Sequence, residues 1–214
     1  LSLLSLLAGL AAIPLQRAEA QSGVELTPFF ATYFPTTSFS RQAGVPLAIF
    51  GGATGDIEAR QEIAAALGGR FSFPLSGAVR AEAEFAYAFS KVRISQIPTA
   101  SPTSALSNRP SAHVYFGSAR AVFRPHRSNF YMLAGGGLVG RGGEAFTTVT
   151  SSKTRLAGVL GVGLRAPVTP GFDLNFGAEM YLYGFSYTSP SSPTAVSRFQ
   201  SDLLVTVGFP ISLR

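Results

Sequence analysis

Cysteine and tryptophan are absent from this chain, histidine and methionine occur twice each, and only 13% of its residues are charged. Without cysteine there is no disulfide framework and no thiol chemistry. Two histidines far apart in sequence, His113 and His126, give no zinc-ligand spacing, and no cofactor or metal is expected. Runs of Glu and Lys that would favour helices are missing. Long apolar runs are missing too: beyond roughly the first fifteen residues, no stretch reaches the ~18 that a membrane helix needs. The formal charge of +6 is scattered singly along the chain, so no nucleic-acid partner is expected. A length of 214 residues suits one domain.

What is present points to β structure with many turns: 23 glycines and 12% aromatic residues. Leu1 to Leu15 is rich in Leu and Ala, and Gln16 and Arg17 lead into Ala18-Glu19-Ala20, the small-x-small pattern of a signal-peptidase site. The expectation is an export signal over residues 1–20 and a single barrel domain over 21–214. In that domain a period of two recurs in segments near ten residues, the length of a tilted strand crossing a bilayer. The predicted strands are Val24–Phe34, Arg60–Phe73, Gly77–Ser90, Ser111–Arg124, Asn129–Gly140, Lys153–Ala166, Phe172–Gly184 and Arg198–Phe209.

The connections alternate in length. Pro35–Ala59, Lys91–Pro110, Arg141–Ser152 and Phe185–Ser197 are long, whereas Pro74–Ser76, Pro125–Ser128 and Pro167–Gly171 are short. Export leaves both termini in the periplasm, so this parity puts the long connections outside and the short ones inside, as in transmembrane barrels. Faces are legible on several strands: Val79, Ala81, Ala83, Phe85, Tyr87 and Phe89 oppose Arg80, Glu82 and Glu84, and Phe172, Phe176 and Met180 oppose Asp173, Asn175 and Glu179. The strand holding Gly135-Gly136-Gly137 does not reveal its faces. A soluble lipocalin-like barrel would share the alternation with the opposite burial, but its polar face would be rich in Lys, Glu and Thr. Here that face is small residues and near-balanced charge.

A lone Arg or Lys facing lipid costs ~2–4 kcal/mol at the midplane. Arg70, Arg80, Arg120 and Arg165 are therefore expected to point inward and meet Glu62, Glu82, Glu84, Asp173, Glu179 and Asp202 in a lumen charge network. By parity, Lys91, Arg93, Arg141, Lys153, Arg155 and Arg198 fall at the outer rim, where phosphorylated lipopolysaccharide would be the contact.

With these strands placed, Val24 to Arg214 resembles the small eight-stranded outer-membrane barrels, the class of the OmpA transmembrane domain and the opacity-type surface proteins. The opening Val24-Glu25-Leu26-Thr27-Pro28-Phe29-Phe30 looks like a first strand of that class, and Asp202-Leu203-Leu204-Val205-Thr206-Val207-Gly208-Phe209 is similar to its closing strand. Family members often end on the aromatic residue, whereas Pro210 to Arg214 follow it here. The resemblance implies an up-and-down transmembrane barrel in the bacterial outer membrane, inserted by the barrel-assembly machinery. A monomer surrounded by outer-membrane lipids and lipopolysaccharide is expected.

Three patterns invite chemical readings. Gly135-x-Gly137-x-x-Gly140 matches the dinucleotide fingerprint, but the following residues cannot open the helix that would hold a pyrophosphate. His126-x-Ser128-Asn129 is similar to a stretch of the outer-membrane lipid A deacylases, yet it falls in a short periplasmic connection, and Glu144, an acidic orienter, belongs to the opposite end. Glu82 and Glu84 have the look of a glycosidase pair, but in an Arg-lined lumen they read as ion-pair partners. The expectation is therefore a non-enzymatic barrel with a structural or surface-interaction role. A small-solute transport barrel is the alternative, and a deacylase-like enzyme a more distant one.

Overall fold

The computed structural model describes residues 23–38, 40–47, 51–100, 106–125, 128–146, 154–169, 171–189 and 192–213. The expected export signal at residues 1–20 lies outside them, as do His126 and Lys153. The dyad pattern of the sequence becomes β1 (Val24–Pro35), β2 (Ser40–Leu47), β3 (Ala53–Gln61), β4 (Ala64–Pro74), β5 (Val79–Pro98) and β6 (Leu106–Asn108). The second half holds β7 (Ser111–Phe123), β8 (Phe130–Gly142), β9 (Thr154–Thr169), β10 (Phe172–Ser189), β11 (Ser192–Gly208) and β12 (Ile211–Leu213). A 3-10 turn at Glu144–Phe146 follows β8.

Eight staves close the wall, in the order β1, β4, β5, β7, β8, β9, β10, β11 and back to β1, all antiparallel. The seam pairs the first stave with the last from Phe29–Gly208 to Pro35–Asp202. Past Phe209 and Pro210, β12 continues the closing stave and pairs Val24–Leu26. Closure leaves the staves no free edge, which is what permits strands in a bilayer.

The faces follow the alternation. Odd-numbered residues of β5 face outward, with Phe85 and Phe89 57% and 62% exposed, while Glu84, Ala86, Ala88 and Ser90 are buried inside. The strand whose faces the sequence concealed turns Tyr131, Leu133 and Val139 inward and Phe130 and Met132 outward. Large apolar side chains cover the outside of several staves, among them Phe30, Leu67, Phe130, Leu160, Val162 and Phe199. A soluble monomer does not expose so continuous an apolar wall. The same wall is what a lipid-embedded barrel requires.

The upper ends differ from expectation. The connection expected over Pro35–Ala59 contains the β2–β3 hairpin, which pairs onto the upper part of β5. The one expected over Phe185–Ser197 is mostly strand, since β10 and β11 remain paired up to Ser189–Ser192. The expected second strand, Arg60–Phe73, is not continuous either. Ala66 pairs Ala88 and Gln61 pairs Val92, so five steps on one side match four on the other and a bulge sits at Glu62–Ile63. At this level Pro35, lacking an N–H, ends β1, and the ladder from β1 to β4 stops at Tyr33–Ala64.

Candidate functional site

The inward side chains form three tiers. At the end that carries the short connections Arg165 pairs with Glu25 at 3.1 Å and with Asp173 at 2.7 Å, and Arg80 reaches the same Glu25 at 3.3 Å. Tyr131 donates to Asn175 Oδ1 at 2.7 Å above them. A cavity of about 30 Å³ among these residues has room for only a water or two.

The middle tier lies within the apolar belt. Arg70 donates through Nε to Glu84 at 2.6 Å, and through Nη2 to Glu179 at 2.5 Å and Thr206 at 2.7 Å. Arg120 bridges the same carboxylates, with Nη1 on Glu179 at 2.6 Å and Nη2 on Glu84 at 2.7 Å and Glu82 at 2.5 Å. Tyr181 donates to the remaining oxygen of Glu84 at 2.8 Å, and Ser72 donates to Glu82 at 2.7 Å. Arg70, Glu84, Arg120 and Glu179 are all buried, and every carboxylate oxygen of Glu82, Glu84 and Glu179 has a donor, as burial of charge demands. The backbone beside Arg120 is approached closely by the neighbouring strand, which only glycine allows. Gly135 lies opposite Arg120, and a Cβ there would stand 2.3 Å from the Ala119 carbonyl and 2.6 Å from the Arg120 Cα.

Above a layer of aromatic rings, in which Phe116 meets Tyr181 at 4.8 Å and Tyr33 at 5.7 Å, comes the upper tier. Arg141 pairs with Asp202 at 3.0 Å, takes Gln61 Oε1 at 3.0 Å, donates to Tyr183 and lies 5.0 Å from the Phe185 ring centre. Tyr33 donates to the other Asp202 oxygen at 3.0 Å. This corrects the expectation for Arg141. β8 runs two residues past Gly140, so the alternation that turns Tyr131 inward turns Arg141 inward too, and at 2% exposure it cannot touch lipopolysaccharide.

Of the residues expected in the lumen, Arg70, Arg80, Glu82, Glu84, Arg120, Arg165, Asp173, Glu179 and Asp202 lie inside in these tiers. Glu62 does not: it occupies the bulge and pairs with Arg93 at 2.9 Å and Arg109 at 3.5 Å at the outer end. Of the expected rim residues, Lys91, Arg93 and Arg198 are exposed and Arg155 is half-buried. The sequence reading missed Glu25, Arg141 as a lumen residue, Gln61 and the hydroxyls of Tyr33, Tyr181 and Tyr183. Glu25 was within reach, because Thr27 and Phe29 are its inward companions at period two.

The deacylase-like pattern meets a plain geometry. Ser128 closes the short turn, donating its N–H to the Pro125 carbonyl at 3.0 Å and accepting the Phe130 N–H on Oγ at 3.1 Å. Glu144 accepts from Ser111 at 3.5 Å beyond the far end of β8, whose 13 residues span roughly 40 Å. Among the described residues no group of three His, Asp or Glu is arranged to hold a metal.

No protein-family model matches the chain, and no curated protein matches it in sequence. Solved structures do match in fold. The outer membrane protein OprG from Pseudomonas aeruginosa superposes with a TM-score of 0.54 at 14% identity, covering 90% of this chain and 97% of its own. The outer membrane protein AlkL, solved in DMPC lipid bilayers, gives a TM-score of 0.55 at 16% identity, covering 94% and 96%. With its closed antiparallel wall, apolar exterior and ion-paired interior, the chain is an integral eight-stranded β-barrel of the kind that spans bacterial outer membranes.

Proposed function

We propose that this barrel is non-conducting and non-catalytic, and that it works at the cell surface through the hairpins that rise above its wall, in a structural or surface-interaction role. The observation that carries this reading is the plugged lumen. Three tiers of paired Arg, carboxylate and Tyr side chains cross the axis, and the middle and upper ones are buried. Eight staves enclose a space that side chains fill. What remains available to a partner is the outer end, where β2–β3, β5–β6 and the top of β10–β11 carry paired backbone beyond the belt. The first twenty residues are the export signal in this proposal, the assembly machinery inserts the mature chain, and the barrel stands as a monomer.

Planar-bilayer recording of purified protein tests the reading. The expected trace has no steady porin-like steps, for the wild type and equally for a variant shortened at the β10–β11 hairpin. Large, stable steps from the wild type would discard the plug and favour a small-solute transport barrel.

A further inference from the structure

One face of the outer wall concentrates positive charge, and the bulge at Glu62 creates it. Had the β4 register continued unbroken, Arg60 would point inward and Gln61 outward. The extra residue reverses them: Gln61 meets Arg141 inside, and Arg60 emerges on the outer surface directly opposite Arg93. Like charges directly opposite on one sheet face destabilise the pair. Lys91 stands two residues below Arg93 on the same face, and Arg109 closes in from the link between β6 and β7, 3.5 Å from Glu62.

Four cations thus gather around one carboxylate. Glu62 is taken up by Arg93 and Arg109, and among the described residues Arg60 and Lys91 have no ion-pair partner. Glu58, the next outward residue on β3, lies on the side away from the belt. A cavity of about 420 Å³ opens where β1 ends at Pro35, lined by Arg60, Glu62, Ile63 and Arg93 among others. Immediately below it the wall turns apolar, with Ile63 61% and Phe89 62% exposed and Leu67 beneath them.

We propose that this patch binds the phosphorylated headgroup of an outer-leaflet glycolipid of the lipopolysaccharide type. The phosphate sits between Arg60, Arg93 and Arg109, with Lys91 alongside, and the acyl chains run down the wall over Ile63, Phe89 and Leu67. Arginine forks match phosphate oxygens in charge-assisted pairs, and an anion between Arg60 and Arg93 removes the cross-strand repulsion. Cations and apolar surface are stacked in the order that the two halves of such a lipid require. Arg155 and Arg198 lie on other staves and are not part of the site.

Native mass spectrometry of the full barrel, released from micelles containing diphosphoryl lipid A, measures the number of lipids retained. The triple variant Arg60→Ala, Arg93→Ala, Arg109→Ala is expected to lose retention roughly tenfold, while Arg155→Ala with Arg198→Ala matches the wild type. Dephosphorylated lipid A is expected to bind the wild type as poorly as the intact lipid binds the triple variant, and millimolar inorganic phosphate to leave the bound lipid in place. The lipid series needs no substitution and stands even if the triple variant assembles badly. Equal retention of phosphorylated and dephosphorylated lipid, an equal loss in the Arg155 and Arg198 control, or displacement by inorganic phosphate alone would each overturn the assignment.

Discussion

Arg120 shows what a single residue does in this lumen. It donates to Glu82, Glu84 and Glu179, which lie on two different staves, and so ties opposite sides of the wall together. Removing one member of a buried ion-paired group typically costs ~3–5 kcal/mol, because the partners remain charged and lose their donor. Arg120→Ala is expected to lower barrel stability by about that amount in urea titrations at fixed detergent. The charge balance of the tier makes a contrasting prediction. Two guanidiniums face three carboxylates, so Glu82→Gln removes the surplus negative charge and keeps an acceptor oxygen for Arg120, while its amide NH2 can donate to the Ser72 hydroxyl, which turns from donor to acceptor. Its cost is expected to stay near ~1 kcal/mol, that of an ordinary hydrogen bond. If Glu82→Gln proves as damaging as Arg120→Ala, the tier is held by a different balance from the one its contacts describe.

At the scale of the element, the contact between β7 and β8 depends on the glycines of the triplet that share the inward register of Tyr131 and Leu133, Gly135 and Gly137, and not on Gly136. A Cβ on Gly135 would run into the backbone of Ala119 and Arg120, whereas one on Gly136 would meet nothing closer than the Ala157 carbonyl at 4.0 Å. Gly135→Ala is expected to cost ~1–3 kcal/mol through forced separation of the two strands, and Gly136→Ala to be neutral or slightly stabilising, both read from the same urea titrations. This distinction was not legible in the sequence, since three consecutive glycines carry no face. The strands rich in side chains were legible: Phe85, Tyr87 and Phe89 alternating with Glu82 and Glu84 set both the faces and the inward position of the carboxylates. Strand ends were not, because a strand that rises above the bilayer sheds the apolar half of its pattern while keeping its hydrogen bonds. That is why Arg141 read as a loop residue and the upper parts of β10 and β11 as a connection. The bulge at Glu62 escaped for a related reason. It changes the register without any glycine or proline to mark it, and it carried Arg60, Gln61 and Glu62 to places that an unbroken period of two does not allow.

At the scale of the whole molecule, closure makes the barrel cooperative. β11 is paired with β1 on one side and β10 on the other, so each turn of the seam is held by two ladders and by the Tyr33–Asp202 bond that spans it. Opening it in detergent requires breaking a complete ladder while the ion-paired lumen loses its opposite wall. The folded barrel is therefore expected to survive SDS at room temperature and to migrate differently from the boiled chain, the behaviour of a closed transmembrane barrel. Proline scanning locates the cause. Thr206 pairs with both Ala31 and Gly177, so Thr206→Pro removes a donor from the closed wall and should abolish the gel shift. Among the described residues Val196 pairs with Tyr187 alone, above the last seam pair at Pro35–Asp202, so Val196→Pro loosens only the hairpin and should leave the shift intact. Loss of the shift in both variants would mean that the hairpin, and not the sealed seam, holds the barrel in its resistant form.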